Sequence, residues 1–206
     1  MRKVFPHSWL LAVVVAALFS LVGAGLSMAS AAGRVLYNAD GVTVMPVGTT
    51  FTASGTNVEM SNGLIINTCT IDVAGTVTDN GSVSGSPVAK ITSVTFPTCN
   101  FVSATANASP TNPWTLTMPS TGNPGTISGA QITVAVPFAG NCTFTESGTS
   151  TSGTMTNGSP SSAALSGSMS LTSGSVLCGS TGTIAGTVAI TSTSTPGNNL
   201  VILPAP

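Results

Sequence analysis

The residues able to do chemistry in this 206-residue chain are few: four cysteines, five carboxylates, four cations and one histidine, His7. Ser-His-Asp and Cys-His catalysis need an imidazole as base, and His7 sits in an N-terminal segment expected to be removed. A Ser-Lys dyad would rest on Lys90 in Val88-Ala89-Lys90-Ile91-Thr92-Ser93-Val94. Alternation puts that lysine beside Thr92 and Val94 or simply outward, and a strand lysine that discourages edge pairing is the plainer reading. Glycoside hydrolysis needs two carboxylates at a set separation. Asp72 and Glu146 are the conceivable pair, although isolated strand acids ordinarily serve solubility. Calcium would ask for clustered acids, and Asp79-Asn80-Gly81 reads instead as a turn. Trp114, after Asn112-Pro113, is a candidate platform for a sugar or a lipid chain, weighed against the commoner part of a core tryptophan. No catalytic residue, metal ligand or cofactor is assigned, and the chain reads as non-enzymatic.

Scarcity of charge narrows the partners as well. Only 4% of the residues are charged, against a usual ~25%. Nucleic-acid binding displaces counterions with clustered Lys and Arg, and no such cluster exists here.

The N-terminus points to a compartment. Met1-Arg2-Lys3 precedes an apolar run from Trp9 to Val22, followed by the small residues Ser27-Met28-Ala29-Ser30-Ala31-Ala32. Residues 1–31 are therefore expected to be a cleaved signal peptide. An uncleaved anchor is the alternative, but the run is marginal in length and broken by Gly23 and Gly25. Cleavage after Ala31 leaves Arg34 and Lys90 against five carboxylates, with no histidine. No cysteine follows the run to take a lipid, and Asn199 to Pro206 lacks an anchoring tail. A released protein with no membrane span is expected, whether free or held at the cell surface.

Residues 32–206 read as one all-β domain. About a third of them are Ser or Thr, and no stretch keeps a helical apolar period. Period-2 segments recur instead at Thr50 to Ala53, Leu64 to Val77, Val88 to Phe96, Trp114 to Met118, Ala130 to Val136, Cys142 to Thr145, Ala164 to Leu171, Thr183 to Thr191 and Leu200 to Leu203. Thr alternating with Val, Ile or Phe suits a strand with one face inward. Turn signals separate them, among them Asp79-Asn80-Gly81, Gly122-Asn123-Pro124-Gly125, Asn157-Gly158 and Pro196-Gly197-Asn198. About nine or ten short strands in an antiparallel β-sandwich or barrel are predicted. The Cys-Thr-apolar-acidic stretches from Cys69 and Cys142 both run on to an Asn-Gly-Ser turn, either as related hairpins or through shared composition.

Four cysteines in a secreted chain imply two disulfides. Facing residues of a hairpin sum to a constant, so Cys69 with Cys99 centres on position 84, within Gly81 to Pro87. Cys142 with Cys178 centres on position 160, within Asn157 to Ser161. Each pair brackets a turn signal, and Cys69–Cys99 and Cys142–Cys178 are the predicted bonds. A metal or redox site is the competing reading, disfavoured by the lack of CxxC and of histidine.

A polar but uncharged Ser/Thr surface over apolar strands suits an interaction function, with an apolar ligand or an oil–water interface as partner. Poorly guarded sheet edges support another reading, a structural or adhesive surface subunit that self-associates by strand addition. Behind the signal peptide come Val47-Gly48-Thr49-Thr50-Phe51-Thr52-Ala53-Ser54-Gly55, Cys69-Thr70-Ile71, Ile91-Thr92-Ser93-Val94-Thr95-Phe96, Pro113-Trp114-Thr115-Leu116 and Gly182-Thr183-Ile184-Ala185-Gly186-Thr187. In this order they resemble the small secreted bacterial proteins called activators of alkane oxidation. The likeness covers roughly residues 45–195, with Pro113-Trp114 its closest feature, and it carries over no catalytic residue. It implies a role outside the cell in growth on long-chain alkanes, through surfactant-like action.

Overall fold

A computed structural model of the chain describes residues 33–83, 85–118, 125–146, 152–192 and 200–206. The expected signal peptide, residues 1–31, lies outside them, as do the turn signals Gly122-Asn123-Pro124 and Pro196-Gly197-Asn198. The strands are β1 (Arg34–Tyr37), β2 (Thr50–Ser61), β3 (Ile66–Asp79), β4 (Val88–Thr95), β5 (Ala104–Ala106), β6 (Trp114–Thr117), β7 (Gly125–Ser128), β8 (Gln131–Val136), β9 (Gly140–Glu146), β10 (Ser152–Thr156), β11 (Ser161–Ser173), β12 (Thr181–Ser192) and β13 (Val201–Pro204). Every pairing is antiparallel.

Following the pairings around gives a closed ring, β2-β3-β4-β6-β7-β10-β11-β12 and back to β2. The shorter β5, β8 and β9 prolong the lines of β6, β7 and β10. Thus β9 takes the far end of β11 where β10 takes its start, and β5 pairs with β8 where β6 pairs with β7. The result is an eight-stave up-and-down barrel, the closed one of the two predicted architectures, in which each stave follows its neighbour in sequence. Closure also disposes of the edge problem. Among the described residues each of the eight ring strands is paired on both sides, and the three-residue β5, paired with β8 alone, is the one short edge left along the barrel wall.

Alternation builds the core. Along β2, Phe51, Ala53, Val58 and Met60 are buried while Thr52, Ser54 and Glu59 face water; β3 buries Cys69, Ile71 and Val77. The break in period at Gly55–Val58 is a bulge against both β3 and β12. Glycine is required where the strands crowd there: a Cβ on Gly186 would lie 3.0 Å from Val58, and one on Gly55 would lie 2.5 Å from the Thr187 carbonyl. Outward threonines pair across neighbouring staves, as Thr52 with Thr191 (2.9 Å) and Thr133 with Thr143 (3.0 Å), which gives the Ser/Thr-rich composition a structural use. This apolar-in, polar-out pattern is the reverse of a transmembrane barrel. Among the described residues no helix is long and apolar enough to cross a membrane.

The two ends differ. One is stoppered by the β1/β13 ribbon, whose Leu36 and Leu200 are fully buried with Met45 and Ile202 in the single hydrophobic cluster. Asparagines fasten it by imitating peptide groups. Asn157 donates to and accepts from Ile202 at 2.9 and 3.0 Å, Asn80 donates to the Met45 carbonyl, and Ser161 donates to the Leu200 carbonyl. The Asp40 carboxylate, bonded to the Thr43 hydroxyl and to the Val42 and Thr43 amides, has its pKa lowered by those bonds, the hydroxyl first. A depressed folded pKa gives stability above the ordinary carboxylate range that is lost as pH falls through the folded value. The amide protection factors of Val42 and Thr43, taken relative to the intrinsic exchange rate at each pH, should fall on that descent, and in Asp40→Ala should be low throughout.

Among the described residues, thirteen strands replace the expected nine or ten. The four not foreseen, β1, β5, β7 and β10, are three to five residues long, and β7 starts inside a turn signal. Lys90 is not an edge guard, because β4 lies between β3 and β6. Its ammonium instead bonds the Thr115 hydroxyl at 2.6 Å across the β4/β6 ladder.

Candidate functional site

The carboxylates do not converge. Asp72 is exposed on β3, and Glu146 ends β9, four staves away on the opposite side of the barrel, where it accepts the Gly129 amide at 3.0 Å. This separation excludes Asp72 and Glu146 as an acid/base pair. Among the described residues no group of three His, Cys, Asp or Glu could hold a metal. Asp79 accepts the Gly81 amide at 2.8 Å, and Gly81 has φ +88°, so this segment is the turn its sequence indicates.

The disulfides join Cys69 to Cys99 and Cys142 to Cys178, and both stand at the end away from the ribbon. Cys69 and Cys99 face each other where the chain beyond β4 lies along β3. Cys142 on β9 reaches the 3-10 turn Val176–Cys178 that joins β11 to β12. That second bond does not face across a hairpin, because β11 is thirteen residues long and runs past its partner before Cys178 is reached. Two disulfides mark an oxidising compartment, extracellular or periplasmic.

Asn67 organises this end, and its role has no signature in the sequence beyond an inward polar position on a strand. It is buried; its Nδ2 donates to the Val102 carbonyl at 2.8 Å, and its Oδ1 accepts the Phe101 and Val102 amides at 3.2 and 3.3 Å. It thereby stands in for a missing stretch of ladder. Asn67→Ala orphans those groups and should cost about 2 kcal/mol, measurable by urea melts, with faster exchange of the Phe101 and Val102 amides.

The barrel holds two cavities. The larger, about 90 Å³, is lined from Phe51, Val73, Trp114, Ile127, Ala163 and Leu165, among others, with no charged or hydroxyl-bearing side chain among the described residues of its wall. Small inward residues leave this space: Gly125 on β7 faces Gly153 on β10, and Ala130, in the link from β7 to β8, and Ala163 on β11 line the same wall. Trp114 is buried (5% exposed), faces this cavity, and gives its indole N–H to Asn107 at 2.7 Å. The smaller cavity, about 40 Å³, lies at the disulfide end and includes Met60, Asn62, Asn67, Val136 and Phe144. Ile132, Met169 and Ile184 belong to both walls, so the two adjoin.

All four turns at the disulfide end expose large apolar side chains: Leu64 after β2, Phe101 after β4, Phe138 after β8, and Val176 and Leu177 after β11. Phe138 is completely exposed and holds φ +64°, a left-handed conformation disfavoured for an aromatic residue. Sequence reasoning missed these residues. Their signal was a large apolar residue set directly after a turn former, as in Gly63-Leu64, Asn100-Phe101, Pro137-Phe138 and Ser175-Val176.

No curated protein and no solved structure is significantly similar to the chain. Residues 8–195 match the family described as alkane oxidation protein activator, PraA/PraB-like. The chain therefore belongs to the PraA/PraB-like family of alkane oxidation protein activators, whose role is accessory to the oxidation.

Proposed function

We propose that the protein is a secreted, non-enzymatic accessory that acts at the hydrocarbon–water interface and raises cellular access to alkanes by surfactant-like adsorption. One observation carries this reading: all four turns at the disulfide end present exposed apolar side chains, including the rings of Phe101 and Phe138, whereas the ribbon end exposes only the smaller Val42, Val44, Val47 and Val83, and the staves between are clothed in uncharged Ser and Thr. Exposed apolar groups gathered at one place mark a contact surface. Low charge removes the repulsion and the desolvation of ions that would oppose approach to oil. The exposed ring of Phe138 fits the same purpose, since its backbone strain gains the fold no burial.

The test is pendant-drop tensiometry at a hexadecane–water interface. The purified protein should lower the tension, and the combined variant Leu64→Ser, Phe101→Ser, Phe138→Ser, Val176→Ser should adsorb at least tenfold less. Its stability should change little, because these side chains bury almost nothing. Equal adsorption by a folded quadruple variant defeats the reading.

A further inference from the structure

We infer that the barrel interior is a binding site for one saturated alkyl chain, taken up lengthwise through the disulfide end. The inference rests on the interfacial reading for its route, but the ligand class follows from the cavity wall. An eight-stave barrel is just wide enough for its side chains to fill or to hold one small ligand. Here the four small inward residues on neighbouring staves decide for space.

Among the described residues, the larger cavity offers a guest no free hydrogen-bonding side chain. Its one indole N–H is already given to Asn107. Water needs two to four polar partners to occupy such a space, and apolar cavities stay dry and accept apolar guests. In the smaller cavity the polar groups are also engaged. Asn67 holds the 101–102 turn, Asn62 bonds the Cys178 carbonyl and the Leu64 and Ile65 amides, Ser61 accepts the Gly63 amide, and Thr183 bonds the Ser61 carbonyl. Among the described residues, the buried side-chain atoms lacking a partner are on Arg34, Asn38 and Glu146, and none of these lines either cavity. The larger site therefore offers an alcohol, acid or sugar no new hydrogen bond and favours an unfunctionalised chain.

Shape supports a linear ligand. The walls follow β12 from Gly182 to Ile190, a run of about 26 Å at ~3.3 Å per residue. Where the cavities meet stands Met169, whose unbranched thioether changes shape readily, flanked by Ile132 and Ile184. The smaller cavity touches the turn of Asn62 and the bend at Val102 that precedes β5, beside exposed Leu64 and Phe101. A chain leaving an oil surface there passes from one apolar environment to another without crossing water.

Trp114 reports on occupancy. In protein secreted from the full gene with Trp9→Phe, it is the single tryptophan. Its emission should be quenched saturably, at one equivalent, by 1-bromooctane and 1-bromododecane, whose bromine must touch the ring, and not by aqueous iodide. Affinity should rise about fourfold per added methylene until the cavities are filled. Ala163→Phe should abolish the quenching, and Ile127→Phe fills the same cavity from β7 should the first variant fail to fold. The quadruple turn variant should still be quenched at equilibrium although it no longer adsorbs to oil, which separates failure of this inference from failure of the interfacial one. Absence of saturable quenching in the unaltered barrel, or undiminished quenching in a folded cavity-filled variant, overturns the inference.

Discussion

Removing the Cys142–Cys178 bond by double serine substitution should cost about 4 kcal/mol. Removing Cys69–Cys99 should cost slightly less. The chain-entropy account assigns loops of 30 and 36 residues about 3 to 4 kcal/mol each and separates them by only about 0.2 kcal/mol. Burial decides the order. Cys142 and Cys178 are both wholly enclosed, whereas Cys99 is only half-buried, so the first pair also forfeits packing. At roughly 2–4 °C per kcal/mol for a domain of this size, the Cys142/Cys178 variant should melt about 8–16 °C lower in calorimetry. The loss matters beyond solution stability, because both bonds brace the end proposed to meet oil. An apolar core has little reason to stay closed against a hydrocarbon phase, which solvates it as well as the fold does. The covalent ties keep β3, β9 and the β11–β12 turn in place there. Tensiometry of the double serine variants should therefore show slow, irreversible film formation in place of reversible adsorption.

How much of this was legible in the sequence divides by mechanism. The alternation of Thr with Val, Ile and Phe marked the long staves β3, β4, β8, β11 and β12, because burial on one face writes itself at period 2. The same rule fell silent on β2 beyond Ala53, where the bulge at Gly55–Val58 resets the period. It was silent also on β10, whose Ser-Gly-Thr-Met-Thr carries one large apolar residue. The disulfide pairs coincide with those selected by turn-centred arithmetic, yet only Cys69 and Cys99 face each other as that arithmetic supposes. Closure itself could not be read, since an eight-stave barrel and a sandwich share the same strand pattern and differ in which first and last strands meet. The cavity was illegible for a related reason. Gly125, Ala130, Gly153 and Ala163 are ordinary small residues in a chain full of them, and they become a site only when β7, β10 and β11 are laid side by side. Trp114 was singled out for its type, and its place in that wall is a consequence of the β4/β6 register that sets it opposite Ile91.

Leu36→Ala should cost about 4–5 kcal/mol, the upper half of the range for a buried leucine, although Leu36 lies on a four-residue strand outside the barrel ring. Two features place it there. Leu36 is fully buried together with Met45 and Leu200, and the site has little freedom to collapse, because the backbone around it is pinned. The Leu36 amide bonds the Asn80 carbonyl at 3.0 Å and its carbonyl accepts the Met45 amide at 2.9 Å, while Asn157 and Ser161 hold β13 beside it. A pinned site leaves the void open, and the void term adds to the lost transfer free energy. Val42→Ala, a few residues along on an exposed turn, should shift stability by less than about 0.5 kcal/mol. The contrast also bears on binding. The ribbon is the stopper at the end opposite the apolar turns, so Leu36→Ala should melt early in urea yet keep tensiometric adsorption where it still folds. Loss of adsorption with the disulfide end intact would mean that the ribbon, and not the four turns, meets the oil.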